Sequence, residues 1–221
     1  MTCSVVEGSV VQIAKRLRAL PGNLIAVAAL LMFSSAQAAS VPPGSDTWSE
    51  MLQARFDPGI RQTRVAGHVK SGLCFSFGLS QEWRLETDDA QARLIAAHSN
   101  AELEVSLRSA HELREMPQPD LASRDAALLQ RDYEGLLGRP AQSVSLASSI
   151  SGATRWSATW VDANLPAASH AMTVETFILP ISREWVLELS LTNIETEETY
   201  NALVQELLAG FKIQNEAACQ R

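Results

Sequence analysis

The segment His111-Glu112-Leu113-Arg114-Glu115 is the nearest this chain comes to a catalytic signature. A zinc-protease helix needs histidines at the first and fifth positions, so that two imidazoles share one helix face with the glutamate as base. Here Glu115 holds the fifth position, and Pro117 and Pro119 follow and prevent a long helix. The segment reads as a polar linker. His68, His98, His111 and His170 are scattered without metal-ligand spacing, and the chain has neither a Gly-x-Ser-x-Gly elbow nor a glycine-rich phosphate loop. Asp88 and Asp89 beside Glu86 form a small acidic cluster, read either as a weak calcium site or, preferably, as a solvated turn. We therefore expect no catalytic, cofactor-binding or metal-ligating residues, and a protein that is not an enzyme.

Two other residue pairs carry more weight. Trp156 and Trp160 lie four apart on an extended segment, so their rings share one strand face about 13 Å apart. Such a pair is either a stacking surface for a partner or part of a core between sheet and helix. The polar opposite face (Arg155, Ser157, Thr159) favours the core. Cys74 and Cys219 are a possible disulfide, with a buried Cys74 and a free Cys219 as the alternative. The bond would close a loop of 145 positions.

A disulfide here requires export to an oxidising compartment. Lys15, Arg16 and Arg18 form a positive region, Leu24 to Phe33 is an apolar run of ten residues, and Ala36-Gln37-Ala38 offers a small-x-small cleavage pattern. The expected cut falls between Ala38 and Ala39. Ten residues span roughly half a bilayer core as a helix, which favours a signal peptide over a transmembrane anchor. Ala39 stands where a lipoprotein would carry cysteine, and Arg16 and Arg18 are not a twin-arginine pair. Met1 to Gln12 carry Glu7 and several valines, unusual in a signal, and point to a translation start nearer Val11 or Leu17. The expected mature chain has 183 residues, enough for one domain, with fifteen basic and twenty-four acidic side chains. That balance argues against nucleic acid or anionic lipid as partner. The expected location is the periplasm or the exterior, without a stable membrane anchor.

These residues must be positioned by a single α+β domain. After a signal peptide (1–38), residues 39–72 read as a leader with a short helix from Asp46 to about Arg55, followed by an ambiguous stretch from Ile60 to Gly72. A domain over 73–213 then holds strands at Leu73–Leu79, Trp83–Glu86, Ala92–His98 and Glu102–Leu107, the last with strict apolar–polar alternation. A helix capped by Asp120 and Gly138 carries an apolar stripe of Leu121, Leu128, Leu129 and Leu136. Strand pairs follow at Gln142–Ile150 with Ala153–Val161, turning at Ser151-Gly152, and at His170–Leu179 with Trp185–Thr192. A last helix from about Glu195 to Ala209 buries Tyr200, Leu203, Val204, Leu207 and Phe211, and Phe211 to Ile213 return to a sheet edge before a tail at 214–221. The whole is a mostly antiparallel sheet packed with helices.

This order of elements resembles the PsbP-type fold, an α/β/α sandwich that includes PsbP, Mog and the DcrB-like periplasmic proteins. The likeness is carried by Phe75-Ser76-Phe77 followed by Trp83, by Leu137-Gly138-Arg139-Pro140 closing the mid-chain helix, by the strands from Ala141 to Thr192, and by Tyr200, Leu203, Leu207 and Phe211. It implies a binding or assembly module without a shared catalytic site, some DcrB-like members being partners of secreted toxins. It carries no functional residue onto this chain. The expectation is an exported, non-catalytic module that binds a protein partner; the alternative is a carrier of a small ligand or lipid in an apolar pocket between sheet and helices.

Overall fold

Alternation with a period of two decides most of this structure. A computed structural model describes residues 52–69, 72–87, 92–148, 152–161 and 171–215. Leu52, Ala54 and Phe56 turn inward from β1 (Leu52–Asp57) while Gln53, Arg55 and Asp57 face water. The short helix expected through Arg55 is thus a strand over its described part, because β2 (Gln62–Val69) offers a pairing partner for the whole of it. β3 (Leu73–Ser80) pairs with β2 on its other side. The domain accordingly begins before residue 73, since β1 and β2 are integral to its sheet.

Two sheets result. The first has the order β1-β2-β3-β11, where β11 (Lys212–Asn215) returns to pair with β3. The second has seven strands in the order β4-β5-β6-β10-β9-β8-β7: β4 (Trp83–Thr87), β5 (Ala92–Ala96), β6 (Glu102–Ser109), β7 (Ser143–Ser148), β8 (Thr154–Val161), β9 (Ala171–Pro180) and β10 (Trp185–Thr192). All strand pairs within the sheets are antiparallel. The chain passes between sheets at Gln81, whose φ of 73° makes the corner. The Thr63 hydroxyl holds that corner, donating to the Gln81 carbonyl at 2.8 Å and accepting from the Trp83 amide at 2.9 Å.

One face of the seven-stranded sheet packs against the four-stranded sheet and α2 (Glu197–Gly210) around Phe75, Phe77, Leu103, Val105, Leu187, Leu189 and Leu207. Phe211, just past α2, stacks on Phe75 and Phe77 at centroid distances of 6.0 and 6.4 Å. Thr196 caps α2, accepting from the Thr199 amide, with Glu197 and Glu198 in the first turn where the helix dipole favours them. The opposite face is covered by α1 (Leu121–Leu137). Asp120 accepts hydrogen bonds from the Ser123 amide and hydroxyl, which hold its carboxyl below the usual range, and Gly138 closes the helix at φ 67°. Leu128 and Leu129 are buried as expected, but Leu136 is 64% exposed. Helix α1 rests on β8, β9 and β10, and its last turn leaves this side chain uncovered. The helices therefore flank the seven-stranded sheet, with the four-stranded sheet sharing the α2 side.

Candidate functional site

The sheet face beneath α1 is divided by sequence into an apolar and a polar half. On β8 and β9, Trp156, Ala158, Trp160 and Ile178 turn toward the helix and are buried. Tyr133 of α1 lies over both tryptophans, 5.8 Å from each ring. Each tryptophan is only 1% exposed, so Trp156 and Trp160 are core residues and not a partner-contact surface. The polarity of Arg155, Ser157 and Thr159 on the reverse side already favoured that reading.

The polar half lies on β6 and β10. Their register sets Val186 opposite Arg108, Glu188 opposite Ser106, and Ser190 opposite Glu104. The Arg108 guanidinium donates to Glu188 at 2.6 Å and stands 2.9 Å from Asp125 of α1, a carboxyl fully shielded from solvent. Burial, then the charge of Glu188 and a hydrogen bond to it, push Asp125 up to about 9 against the opposing pull of Arg108. Burial and Glu188 thus make Asp125 hold its proton more tightly than an ordinary carboxyl. Burial disfavours the charge on Arg108, but the bond to Glu188 and the two carboxyls outweigh it and raise its pKa.

Beside this cluster a cavity of about 320 Å³ opens between helix and sheet, lined by Glu104, Ser106, Thr176, Glu188 and Ser190 below and by Leu129 and Tyr133 above. Thr176 and Ser190 share a hydrogen bond of 2.8 Å. Burial and the charges of Glu104 and Glu188 push the Tyr133 phenol up to about 12. None of these residues was singled out as a site from the sequence. Two signals were available: Glu188 interrupts Val186-Leu187-Glu188-Leu189, and Asp125 falls on the buried helix stripe of Ala122, Ala126 and Leu129. A charge at an inward position is more informative than a motif here.

The second feature is an edge. β7 ends the seven-stranded sheet, and every one of its residues is exposed. Val144 and Leu146 pair with Ala158 and Trp156, and so share their face of the sheet, yet they are 45% and 48% exposed. The other edge strands carry charge: Arg55 and Asp57 on β1, Arg84 and Glu86 on β4, Lys212 on β11. β7 carries none. Charged residues on edges discourage pairing with another chain, so β7 is the least protected of the four.

Other sequence candidates fall as follows. The segment from His111 to Glu115 forms turns, with Leu113 buried and His111 Nδ1 2.7 Å from Arg114. No group of three or more metal-ligating side chains gathers among the described residues. Cys74 is buried in β3. Cys219, Ala38 and Ala39, the Asp88-Asp89 pair and His170 lie outside the described residues. No described helix is long and apolar enough to cross a membrane.

No family model and no curated protein sequence matches this chain. Among solved structures it is similar to the solution structure of cyanobacterial PsbP (CyanoP) from Synechocystis sp. PCC 6803, with a TM-score of 0.42 and 8% identity, over 74% of this chain and 93% of that one. At that score and identity the similarity assigns no site.

Proposed function

We propose that the chain is an exported, non-catalytic module that binds an extended segment of a protein partner by strand addition to β7. The observation that carries this reading is the open, uncharged edge with Val144 and Leu146 left half-exposed on one face. An added strand gains backbone hydrogen bonds from this edge of the described sheet, while its alternate side chains meet these two residues. Export is supported by the basic, apolar and Ala36-Gln37-Ala38 sequence, with cleavage before Ala39 and release into the periplasm. The intact mass of the exported protein tests that step.

The apolar-pocket carrier has less support. Trp156, Trp160 and Ile178 fill the apolar part of the α1 interface, and the cavity beside them is lined mostly by polar groups.

Photo-crosslinking in the exporting cell tests the docking mode. A photoreactive residue at Ser145 should capture one partner through a segment that maps to an extended stretch, and Leu146→Lys should abolish the adduct. Equal capture from Arg84 on the opposite edge, or adducts indifferent to Leu146→Lys, would overturn it.

A further inference from the structure

In the described sheet β7 has β8 as its one neighbour, and the sequence of β7 fits a particular strand on the other side, its own. A two-fold axis perpendicular to a sheet sets an edge strand antiparallel to its copy and keeps the two faces continuous. Opposed residues then belong to the same face, so pairing can centre on Val144, Ser145 or Leu146. Centred on Ser145, each Val144 opposes Leu146 of the second copy, Ser143 opposes Ala147, and Ser145 opposes itself. Centred on Val144, Leu146 would oppose Gln142 and Pro140 would enter the ladder; centred on Leu146, Val144 would oppose Ser148. The Ser145 register alone matches every apolar residue of the exposed pair with another apolar residue.

Charge favours the same occupant. A two-fold sets residues near the axis beside their own copies, so a charge there repels itself. β1, β4 and β11 carry such charges and β7 carries none. The nearest charge on the next strand, Arg155 of β8, is paired with Glu175. Six residues of strand extend only about 20 Å. Joined edges of that length bury less than the roughly 1,200 Å² at which stable interfaces begin, so such a dimer forms reversibly.

We propose that β7 pairs with β7 of a second copy, antiparallel about Ser145, in a reversible homodimer whose sheet is continuous across both chains. This rests on the reading of β7 as an edge that accepts a strand, and it assigns that edge an occupant when no foreign segment holds it.

Cysteine crosslinking and sedimentation of the purified exported chain test the pairing. Opposed Cα atoms in an antiparallel pair stand about 4.5–5.5 Å apart, within disulfide reach. Both Ser143 and Ser145 are exposed. Ser145→Cys should give a covalent dimer on mild oxidation. Ser143→Cys places its two thiols four residues apart along the strands, roughly 14 Å, and should not. Without oxidation, the wild type should show a concentration-dependent monomer–dimer equilibrium that Leu146→Lys abolishes. A single monomeric species up to about 1 mM, or equal crosslinking by the two cysteine variants, would overturn the proposal. Capture of a foreign protein from Ser145 by a chain that stays monomeric would also overturn it, while leaving strand addition to β7 in place. A dimer indifferent to Leu146→Lys would place the contact elsewhere and overturn the pairing.

Discussion

Tyr133 lies over Trp156 at 5.8 Å with the rings inclined by 28°, joining helix α1 to the sheet through three aromatic side chains, Trp160 being the third. These rings join Ala122, Ala126, Leu128 and Leu129 of α1 in one apolar cluster, beside the polar half of the sheet face.

Trp160→Ala should therefore cost about 3–5 kcal/mol in urea unfolding, through lost burial and a cavity that Tyr133 cannot fill. A cost under about 1 kcal/mol would mean that the ring contributes as an exposed residue does.

Asp125 ties stability to pH. Its carboxyl titrates near 9 when folded and near its ordinary value of 3.8 when unfolded, so the folded state holds the proton more tightly. Its contribution is complete below the unfolded value and is lost progressively as pH rises toward about 9. Between about pH 5 and pH 8 the wild type should lose more stability than Asp125→Asn, whose amide can donate to Glu188 without titrating. Urea midpoints for both proteins at the two pH values check this, and parallel losses would contradict it.

Gly67 is a steric requirement. The Phe75 ring on the adjacent strand lies over it, and a Cβ at this position would fall inside the ring's van der Waals envelope. Gly67→Ala should destabilise by about 1–3 kcal/mol as overpacking. A midpoint equal to that of the wild type would show that the ring moves aside freely.

Cys74 and Cys219 are expected to be bonded. Cys74 sits opposite Gln214 in the β3–β11 ladder, its sulfur 3.5 Å from the Gln214 carbonyl oxygen, and Cys219 follows Gln214 by only five positions. On the chain-entropy model, closing so long a loop stabilises by about 4–5 kcal/mol. Thiol titration of unreduced exported protein should find neither cysteine free; two thiols per chain would exclude the bond.

The sequence was most legible where alternation or capping was strong. The Asp120 cap and Gly138 stop bounded α1, and the leucines of β6 and β10 marked an inward face. It was least legible at β1, where six residues with alternating burial are too short to declare a period without knowing that β2 lies alongside. The tryptophan pair showed the face on which it lay but not what would cover it, which Tyr133 decides from a distant part of the chain. The polar cavity was missed for a similar reason. Glu104 is unremarkable within its alternating strand, and although Asp125 and Glu188 each put a charge at an inward position, only the β6–β10 register and the seating of α1 bring the three together.

That same β6–β10 register has a kinetic consequence. The seven-stranded sheet consists of two runs joined at this seam: β4, β5 and β6 in sequence order on one side, and β10, β9, β8 and β7 in reversed order on the other. Within each run, neighbouring strands are consecutive in sequence and can pair early. The seam instead joins residues as distant as Glu102 and Thr192, so its loop-closure entropy must be met before any seam contact forms. Joining the two runs should then be slower than pairing within either of them. Because Arg108 and Glu188 meet across that seam, side chains at the rim of the cavity also sit where the halves of the sheet first have to find each other.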